Sequence, residues 1–251
     1  MGGRGGRSGV RGGGAGGGGG SGVSPTDRFN RAAGALPPAL RRALEERFLN
    51  GTDLGKDIYD HYIPRGGAVR NPNETGAYYS PTHNMIWMSF SADARNPRGG
   101  GSTWLHEHGH YVDFNIGRAV GKRISDDRQF QQALKKDVAR YEQEVAQHSD
   151  RRNWPGFSAA REVAKELRRL GDTTNAIQDI YGGVHRDRSN YEWGHANSYW
   201  TGDKQVAVEA AAHMFEAQFG SDKAGYMKKY LPTAWARYNE LLETDRKRWK
   251  R

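Results

Sequence analysis

The sequence predicts an α+β domain that is mostly helical, with a small β-sheet before its central helix. Apolar residues recur at helical spacing through most of the chain after residue 102. Two short segments before that point, 76–80 and 84–89, have the composition of strands and are joined by a turn around Pro81. The central helix therefore follows two predicted strands, and helices dominate the rest of the chain.

Local capping and turn residues divide this pattern into elements. Proline favours the first turn of a helix, glycine its end, and serine or threonine its N-cap. In chain order, the predicted elements are a helix opened by Pro37 and Pro38 and ended by Gly51, a short helix over 52–62, the two strands, a helix from Ser102 or Thr103 to Gly117, a long helix capped by Ser125, a helix from Ser158 to Gly171, a short helical segment stopped by Gly182 and Gly183, a helix over 205–219, and a final pair of helices split at Pro232.

The predicted central helix carries the pattern H-E-x-x-H as His106, Glu107 and His110. Residues four apart lie on the same face of a helix, so both imidazoles can bind one Zn²⁺. Glu107 falls beside that metal without having to bind it. A carboxylate there can accept a proton from a zinc-activated water and pass it to a leaving amine. The pattern is typical of metallopeptidases, although two histidines can also share a helix by chance.

A catalytic zinc needs a third protein ligand and an open position for water. Glu209 is the best candidate, because it is a charged residue in an apolar, alanine-rich segment and requires a partner there. The competing interpretation is a surface glutamate or a partner for an arginine. His195 is the second candidate ligand; it also suits a donor to a tetrahedral oxyanion, and a purely structural histidine is equally consistent with the sequence.

Several neighbouring residues have expected supporting roles. The irregular segment 184–202 combines aromatic and polar residues, among them His195 and Tyr199, which suggests the wall of a site. Asp113 is expected to orient His110, and His213 to lie close to the ligands, whereas His108 is expected to pack or face solvent. Because Asp113 and Ile116 stand where a metzincin has its glycine and third ligand, this chain does not have the metzincin pattern.

Composition and charge limit the remaining classes. The 251 residues include no cysteine, which excludes thiolate ligands, and the net charge of +9 lies mainly in the two ends. Without residues 1–22 and 246–251 the chain has 30 basic and 29 acidic residues. We therefore expect a Gly/Arg-rich tail over 1–23, one domain over 24–245, and a basic tail over 246–251, with weak nonspecific nucleic-acid binding confined to the tails.

Neither a signal peptide nor a membrane span is recognisable in the sequence. No membrane partner is therefore expected. The sequence leaves the localisation open.

A set of motifs in fixed order resembles the zincin-like metallopeptidase domain of phage minor head (Mu-type morphogenesis) proteins. The resemblance covers residues 76–220, and the motifs are Met85-Ile86-Trp87-Met88, His106-Glu107-x-Gly109-His110, Asp179-Ile180-Tyr181-Gly182-Gly183, Gly194-His195 with Tyr199-Trp200, and Glu209 with Ala212 and Phe215. In that family the late helix usually reads E-x-x-A-E. This implies Glu209 as a metal ligand, and His213 replaces the second acid here.

The residues and the resemblance together lead to one expected function and one alternative. The expected function is a zinc-dependent, gluzincin-like peptidase in which His106, His110 and Glu209 bind Zn²⁺, Glu107 is the general base and then acid, and His195 or Tyr199 stabilises the oxyanion. Its partners would be a peptide or protein substrate and, as the resemblance implies, phage head or portal proteins. The alternative is a non-catalytic minor head or structural protein whose fold zinc stabilises. A toxin-type protease would share the chemistry and differ in its target.

Overall fold

The computed structural model describes residues 36–63, 68–70, 76–187, 189–191 and 194–250. The tail predicted over residues 1–23 lies outside these ranges. Within them the α+β class is confirmed, because the chain is mainly helical and has one small sheet. None of the helices in the described part of the chain combines the length and the apolar composition that crossing a membrane requires.

Ten helices and three strands make up the described fold, together with short 3-10 turns. The elements are α1 (Pro38–Leu49), α2 (Asp53–Tyr62), β1 (Ala68–Arg70), β2 (Tyr78–Ser80), β3 (Met85–Trp87), α3 (Phe90–Asp93), α4 (Ser102–Val120), α5 (Arg128–His148), α6 (Ala159–Arg169), α7 (Asn175–His185), α8 (Asp203–Ala217), α9 (Ser221–Tyr230) and α10 (Pro232–Trp249).

The sheet has the order β1-β3-β2, with β1 parallel and β2 antiparallel to the central strand β3. Both predicted strands are present but shorter than predicted. The strand β1 was not predicted, because three residues are too few for an alternating pattern to stand out. Tyr79 pairs with Ile86, and both are buried against the helices. β2 is thus left at the edge of the sheet, beside α4.

The central helix α4 is capped differently from the prediction at both ends. Gly101, in a left-handed conformation, precedes its first residue, so neither Ser102 nor Thr103 is the N-cap. Asp93 supplies the missing acceptor instead: its carboxylate accepts hydrogen bonds from the backbone N–H groups of Thr103 (2.8 Å) and Trp104 (3.1 Å). An acid at this end also interacts favourably with the helix dipole. The helix continues past Gly117 and ends at Gly121.

Helices α4 and α8 pack directly against each other through small residues. A side chain added at Gly109 would place its Cβ 2.6 Å from the Cα of Ala212 and 3.0 Å from the Cβ of Phe215. Such distances are well inside van der Waals contact, so only glycine allows this approach. Since Gly109 lies between the two histidines of H-E-x-x-H, the close packing brings α8 to the histidine-bearing part of α4.

Replacing Gly109 by alanine is expected to destabilise the fold by about 1–3 kcal/mol, because the new methyl group meets backbone atoms that cannot move aside independently. Gly225, inside α9, is a matched control, since nothing lies within 4 Å of a Cβ added there. Gly225→Ala should be neutral or stabilise by about 0.5–1 kcal/mol. Urea unfolding of the two variants measures both effects. Equal stability of the two would show that α4 and α8 do not pack this closely.

Two other predicted boundaries are wrong. Asp127 rather than Ser125 caps α5, accepting from the backbone N–H of Phe130 at 2.9 Å, because Ser125 is held by the carboxylate of Asp113. Helix α7 also runs through Gly182 and Gly183 to His185 instead of stopping there. Gly183 faces the indole of Trp200, whose atoms would lie about 3.0 Å from an added Cβ. Gly183 therefore leaves room for the indole of Trp200 rather than ending the helix.

The basic end of the chain belongs to the folded domain, contrary to the tail predicted over 246–251. Residues through Trp249 form the last turns of α10. The Trp249 indole stacks on the His61 ring with centroids 4.0 Å apart, and Arg246 bonds to Asp57 at 3.0 Å. Arg248 bonds to Asp245 at 2.6 Å. The prediction treats the basic residues of this segment as solvated, but Asp57 of α2 and Asp245 of α10 form ion pairs with some of them.

Truncation after residue 245 is accordingly expected to lower the melting temperature by more than the few degrees expected for a solvated tail. It removes the stacked indole and the ion pairs to Asp57 in one step. Thermal unfolding followed by circular dichroism measures the loss. Truncation before residue 23 provides the control for a segment that the sequence predicts to be unstructured. An unchanged melting temperature on cutting at 245 would contradict the docking of α10 through its last turn.

Candidate metal centre

Helices α4 and α8 bring the three predicted metal ligands together. The Nε2 atom of His106 lies 3.3 Å and that of His110 3.5 Å from the same carboxylate oxygen, Oε2 of Glu209. The two histidines stand one turn apart on α4, and Glu209 faces them from the closely packed α8. All three side chains are buried. The two histidines predicted from H-E-x-x-H and the glutamate predicted from its apolar surroundings thus lie in one cluster.

The same cluster contains buried polar atoms without hydrogen-bond partners. In the candidate site they are Oε2 of Glu209, which has no aligned donor although both imidazoles are near, Oε2 of Glu107 and Nδ1 of His106. Leaving a buried carboxylate oxygen unsatisfied is costly unless another group compensates for it. Two imidazoles and one carboxylate form a typical donor set for Zn²⁺, with Glu107 beside the metal. The residues present therefore fit a divalent metal held by His106, His110 and Glu209.

The charges within the cluster are strongly coupled. Burial lowers the pKa of His106 to about 3. At His110, burial opposes protonation, but the nearby Glu209 outweighs it and raises the pKa to about 9. Burial would also raise the pKa of Glu209, yet the charge of His110 holds it well below the ordinary value. Glu209 is therefore a carboxylate, which is the form a metal requires.

Glu107 has the properties of a proton carrier. Burial raises the pKa of its carboxyl to about 7, opposed by the charge of His110 and by a hydrogen bond from the Tyr79 backbone on β2. A group with a pKa near 7 can both accept and release a proton at neutral pH, as general acid–base chemistry requires. The edge strand β2 thus holds Glu107 in place while one of its oxygens stays free of protein donors.

Two sets of possible ligands among the described residues have donor atoms that all lie within 4.8 Å of one another. One set is His106, Glu209 and His213, and the other is Asp179, His195 and Glu209. Glu209 belongs to both sets, and the predicted ligand His110 belongs to neither. His213 is expected near the ligands, and its ring centroid is 4.3 Å from that of His106. His195 was the second candidate for third ligand and still lies within reach of the cluster.

The loop after α7 carries His195 and Tyr199 to the wall of the cleft. Gly194 has a φ of +132°, and a Cβ there would lie 2.6 Å from Oδ1 of Asp179, so the turn requires glycine. The Tyr199 ring stacks on the His195 ring at 4.1 Å, and its hydroxyl donates to Oε1 of Glu209 at 2.5 Å. Both residues therefore line the cleft, with Tyr199 bonded to a predicted metal ligand.

Asp179 is the important residue to which sequence reasoning gave no role. It is 1% exposed and accepts hydrogen bonds from the backbone N–H (2.8 Å) and Nδ1–H (3.0 Å) of His195 and from Nε2–H of His213 (3.2 Å). Although burial disfavours its charge, these bonds lower the pKa of Asp179 to about 2. An acid between Ile177 and Tyr181 in an apolar segment was the available signal, the same one that identified Glu209.

The expected roles of two residues on α4 have different outcomes. Asp113 was expected to orient His110 but instead accepts hydrogen bonds from the backbone N–H (3.0 Å) and hydroxyl (2.6 Å) of Ser125. It acts on His110 only through its charge. His108 points away from the cluster into the core, where its Nδ1–H donates to the carbonyl of Trp104 at 2.7 Å. The packing role for His108 is confirmed.

The cleft around this cluster has a volume of about 320 Å³ and is open to solvent. Its lining combines the cluster with the end of β2, the turn after it and the loop after α7, as the residues Ala77, Tyr78, Tyr79, Pro81, His106, Glu107, His110, Phe114, His195, Tyr199, Val208 and Glu209. Comparison of the chain with protein-family models, with curated proteins and with solved structures finds no significant match.

Proposed function

We propose that this chain is a zinc-dependent peptidase with a zincin-like fold. The observation that carries the proposal is the place of Glu107. Its carboxyl is buried, has one oxygen that no protein donor contacts, and lines the same cleft as two histidines whose Nε2 atoms lie within 3.5 Å of one Glu209 oxygen. A purely structural metal site has no use for a proton carrier at that position. The setting in a phage head, with head or portal proteins as partners, belongs to the proposal through the sequence resemblance.

The chemistry follows from the placement of the side chains. Zinc, when bound by His106, His110 and Glu209, would polarise the peptide carbonyl and acidify water. Glu107 accepts the proton of the attacking water at its free oxygen and later delivers it to the leaving amine.

His195 is the better placed of the two expected oxyanion donors. Its Nδ1–H is held by Asp179, which leaves Nε2 as the ring nitrogen for a substrate. Burial disfavours protonation, but Asp179 overcomes this and raises the pKa of His195, which favours the form that donates from Nε2. Tyr199 already donates its hydroxyl to Glu209. A role for Tyr199 as donor to substrate therefore requires that this bond be exchanged.

The experiment that tests the proposal measures metal and peptide hydrolysis together. Purified wild-type protein is analysed for bound metal and incubated with a broad peptide library, with and without a chelator, and products are identified by mass spectrometry. We expect about one zinc per chain and hydrolysis that the chelator abolishes. Zinc without any hydrolysis would favour the alternative, a structural protein in which zinc only stabilises the fold.

Asp179→Asn tests whether Asp179 positions His195. The amide keeps the size of the side chain but removes the charge that orients the imidazole, so the hydrolysis rate is expected to fall about 10–100-fold with zinc content unchanged. His195→Ala should lose a similar factor. If Asp179 acts through His195, the double variant loses little more than either single variant. Multiplicative losses in the double variant would contradict this positioning role.

A further inference from the structure

A second cavity lies between α10 and the C-terminal end of α4, where the 3-10 turn Ile124–Asp126 follows that helix. It has a volume of about 520 Å³ and, among the described residues, shares no lining residue with the cleft of the candidate site. We call it the α4–α10 groove. Apolar side chains of both helices and of the turn line it, namely Ile116, Val120, Ile124 and Leu241.

Part of this apolar lining is open to solvent. Ile116 and Ile124 belong to the buried core, but Val120 is 46% exposed and Leu241 is only partly buried. An exposed apolar surface with charged residues at its rim is typical of a site that a partner covers. An occupant that supplies a large apolar side chain gains free energy by removing this surface from water.

The rim on the α4 side presents a positive charge. Lys122, just after α4, has a side chain that is 56% exposed, whereas the acid that it contacts at 3.1 Å, Asp127, is buried. That acid is already compensated, because Nε and Nη2 of Arg237 each donate a hydrogen bond to it at 3.1 Å. The ammonium group of Lys122 is therefore a surplus charge at the edge of the groove.

The rim on the α10 side is also positive. The Lys247 side chain is 69% exposed and lies 3.8 Å from Glu243, whose carboxylate is bound more closely by Arg246 at 2.7 Å. The other acid in the lining, Asp245, is buried and is bound by Arg248 at 2.6 Å. The groove thus presents cations to solvent on both of its sides and keeps its acids below the surface.

We propose that the α4–α10 groove binds a segment of a partner protein that is acidic and carries large apolar side chains such as leucine or phenylalanine. Carboxylates of the segment meet Lys122 and Lys247, and its apolar side chains cover Val120 and Leu241. A nucleic acid matches the charge, but its phosphates leave the apolar surface uncovered. A single anionic lipid carries its charge at one end, whereas the groove has cations on both sides.

The first test measures the binding of a short fluorescein-labelled peptide composed of leucine, phenylalanine, aspartate and glutamate by fluorescence anisotropy. Glu107→Gln protein is used, so that the probe is not cleaved. We expect saturable binding that weakens at least about tenfold when serine replaces the apolar residues or lysine replaces the acids. Absence of saturable binding, or equal binding of the lysine peptide, would overturn the proposal.

The second test locates the bound peptide by substitutions in the groove. Val120→Glu places an acid on the apolar surface and should weaken binding about tenfold, and Lys247→Glu should weaken it about fivefold. Both residues are exposed, so both variants are expected to fold. Leu49→Glu and Lys136→Glu are the matched controls, since these exposed residues of α1 and α5 do not line the groove. Unchanged binding in both groove variants would place the peptide elsewhere and contradict the proposal.

The remaining measurements distinguish other occupants. Light scattering at the concentrations of the binding assay is expected to show a monomer; a dimer that Val120→Glu dissociates would instead assign the groove to a second copy of this chain. Binding of phosphatidylglycerol vesicles or of a single-stranded oligonucleotide in place of the peptide, lost in the same variants, would assign it to another ligand. None of these measurements depends on zinc or hydrolysis, so the proposal and the peptidase function fail or stand independently.

Discussion

Replacing Glu107 by glutamine is expected to leave about one zinc per chain while lowering the peptidase rate by about 10²–10⁴. Glutamine has nearly the same size and can still accept the hydrogen bond from the Tyr79 backbone. It cannot accept the proton of the attacking water. The change therefore separates holding the metal, which depends on His106, His110 and Glu209, from the chemistry that depends on Glu107.

Metal analysis and steady-state hydrolysis of both proteins measure the two effects independently. Glu46→Gln on α1 provides a matched control, because this acid lies outside the cleft and should change neither quantity. Removal of a charge from the buried site should also be visible in stability: Glu107→Gln is expected to fold at least as well as wild type without metal, since burial already disfavours the Glu107 carboxylate. Equal hydrolysis rates would rule out Glu107 as the base.

The cluster of candidate ligands could be predicted from the sequence because local features mark each residue. Helical spacing alone places His106 and His110 on one face, and a charged residue in an alanine-rich helix marks Glu209. Neither argument depends on the rest of the fold. The helix that carries each residue was predicted with the correct type, and errors were confined to the ends, such as the N-cap at Gly101 in place of Ser102 or Thr103.

The remaining errors involve contacts between residues distant in the chain. Asp93 caps α4 from another helix, Asp179 reaches His195 across 16 positions, and Arg246 meets Asp57 across 189. No periodicity or spacing encodes such pairs. The sequence marked these residues as charged, but only the packing of α2, α3, α7 and α10 shows which partner each one has. The basic end of the chain was therefore mistaken for a solvated tail.

Substitution of the candidate ligands is expected to have the other large effect, which is a loss of zinc affinity. The pattern of losses distinguishes the overlapping ligand sets. His106→Ala and His110→Ala are each expected to abolish zinc binding, because each removes one of three protein ligands from a buried site. Glu209→Gln should weaken binding by at least about 10–100-fold, since the amide keeps an oxygen but loses the charge. His195→Ala should bind zinc nearly normally, because Asp179 already holds Nδ1 of His195 and the proposed site has three other ligands.

Competition with a chromophoric chelator gives the zinc affinity of each variant, and circular dichroism shows that each one folds. Loss of metal in His195→Ala with retention in Glu209→Gln would replace Glu209 by His195 as the third ligand. His213→Ala distinguishes the remaining set, in which His213 stands in for His110. The His213→Ala variant should retain zinc, because in the wild-type protein the Nε2–H of His213 donates to Asp179 at 3.2 Å and is not available to a metal. A loss as complete as that of His110→Ala would instead make His213 a ligand and leave the H-E-x-x-H spacing without its second contact to the metal.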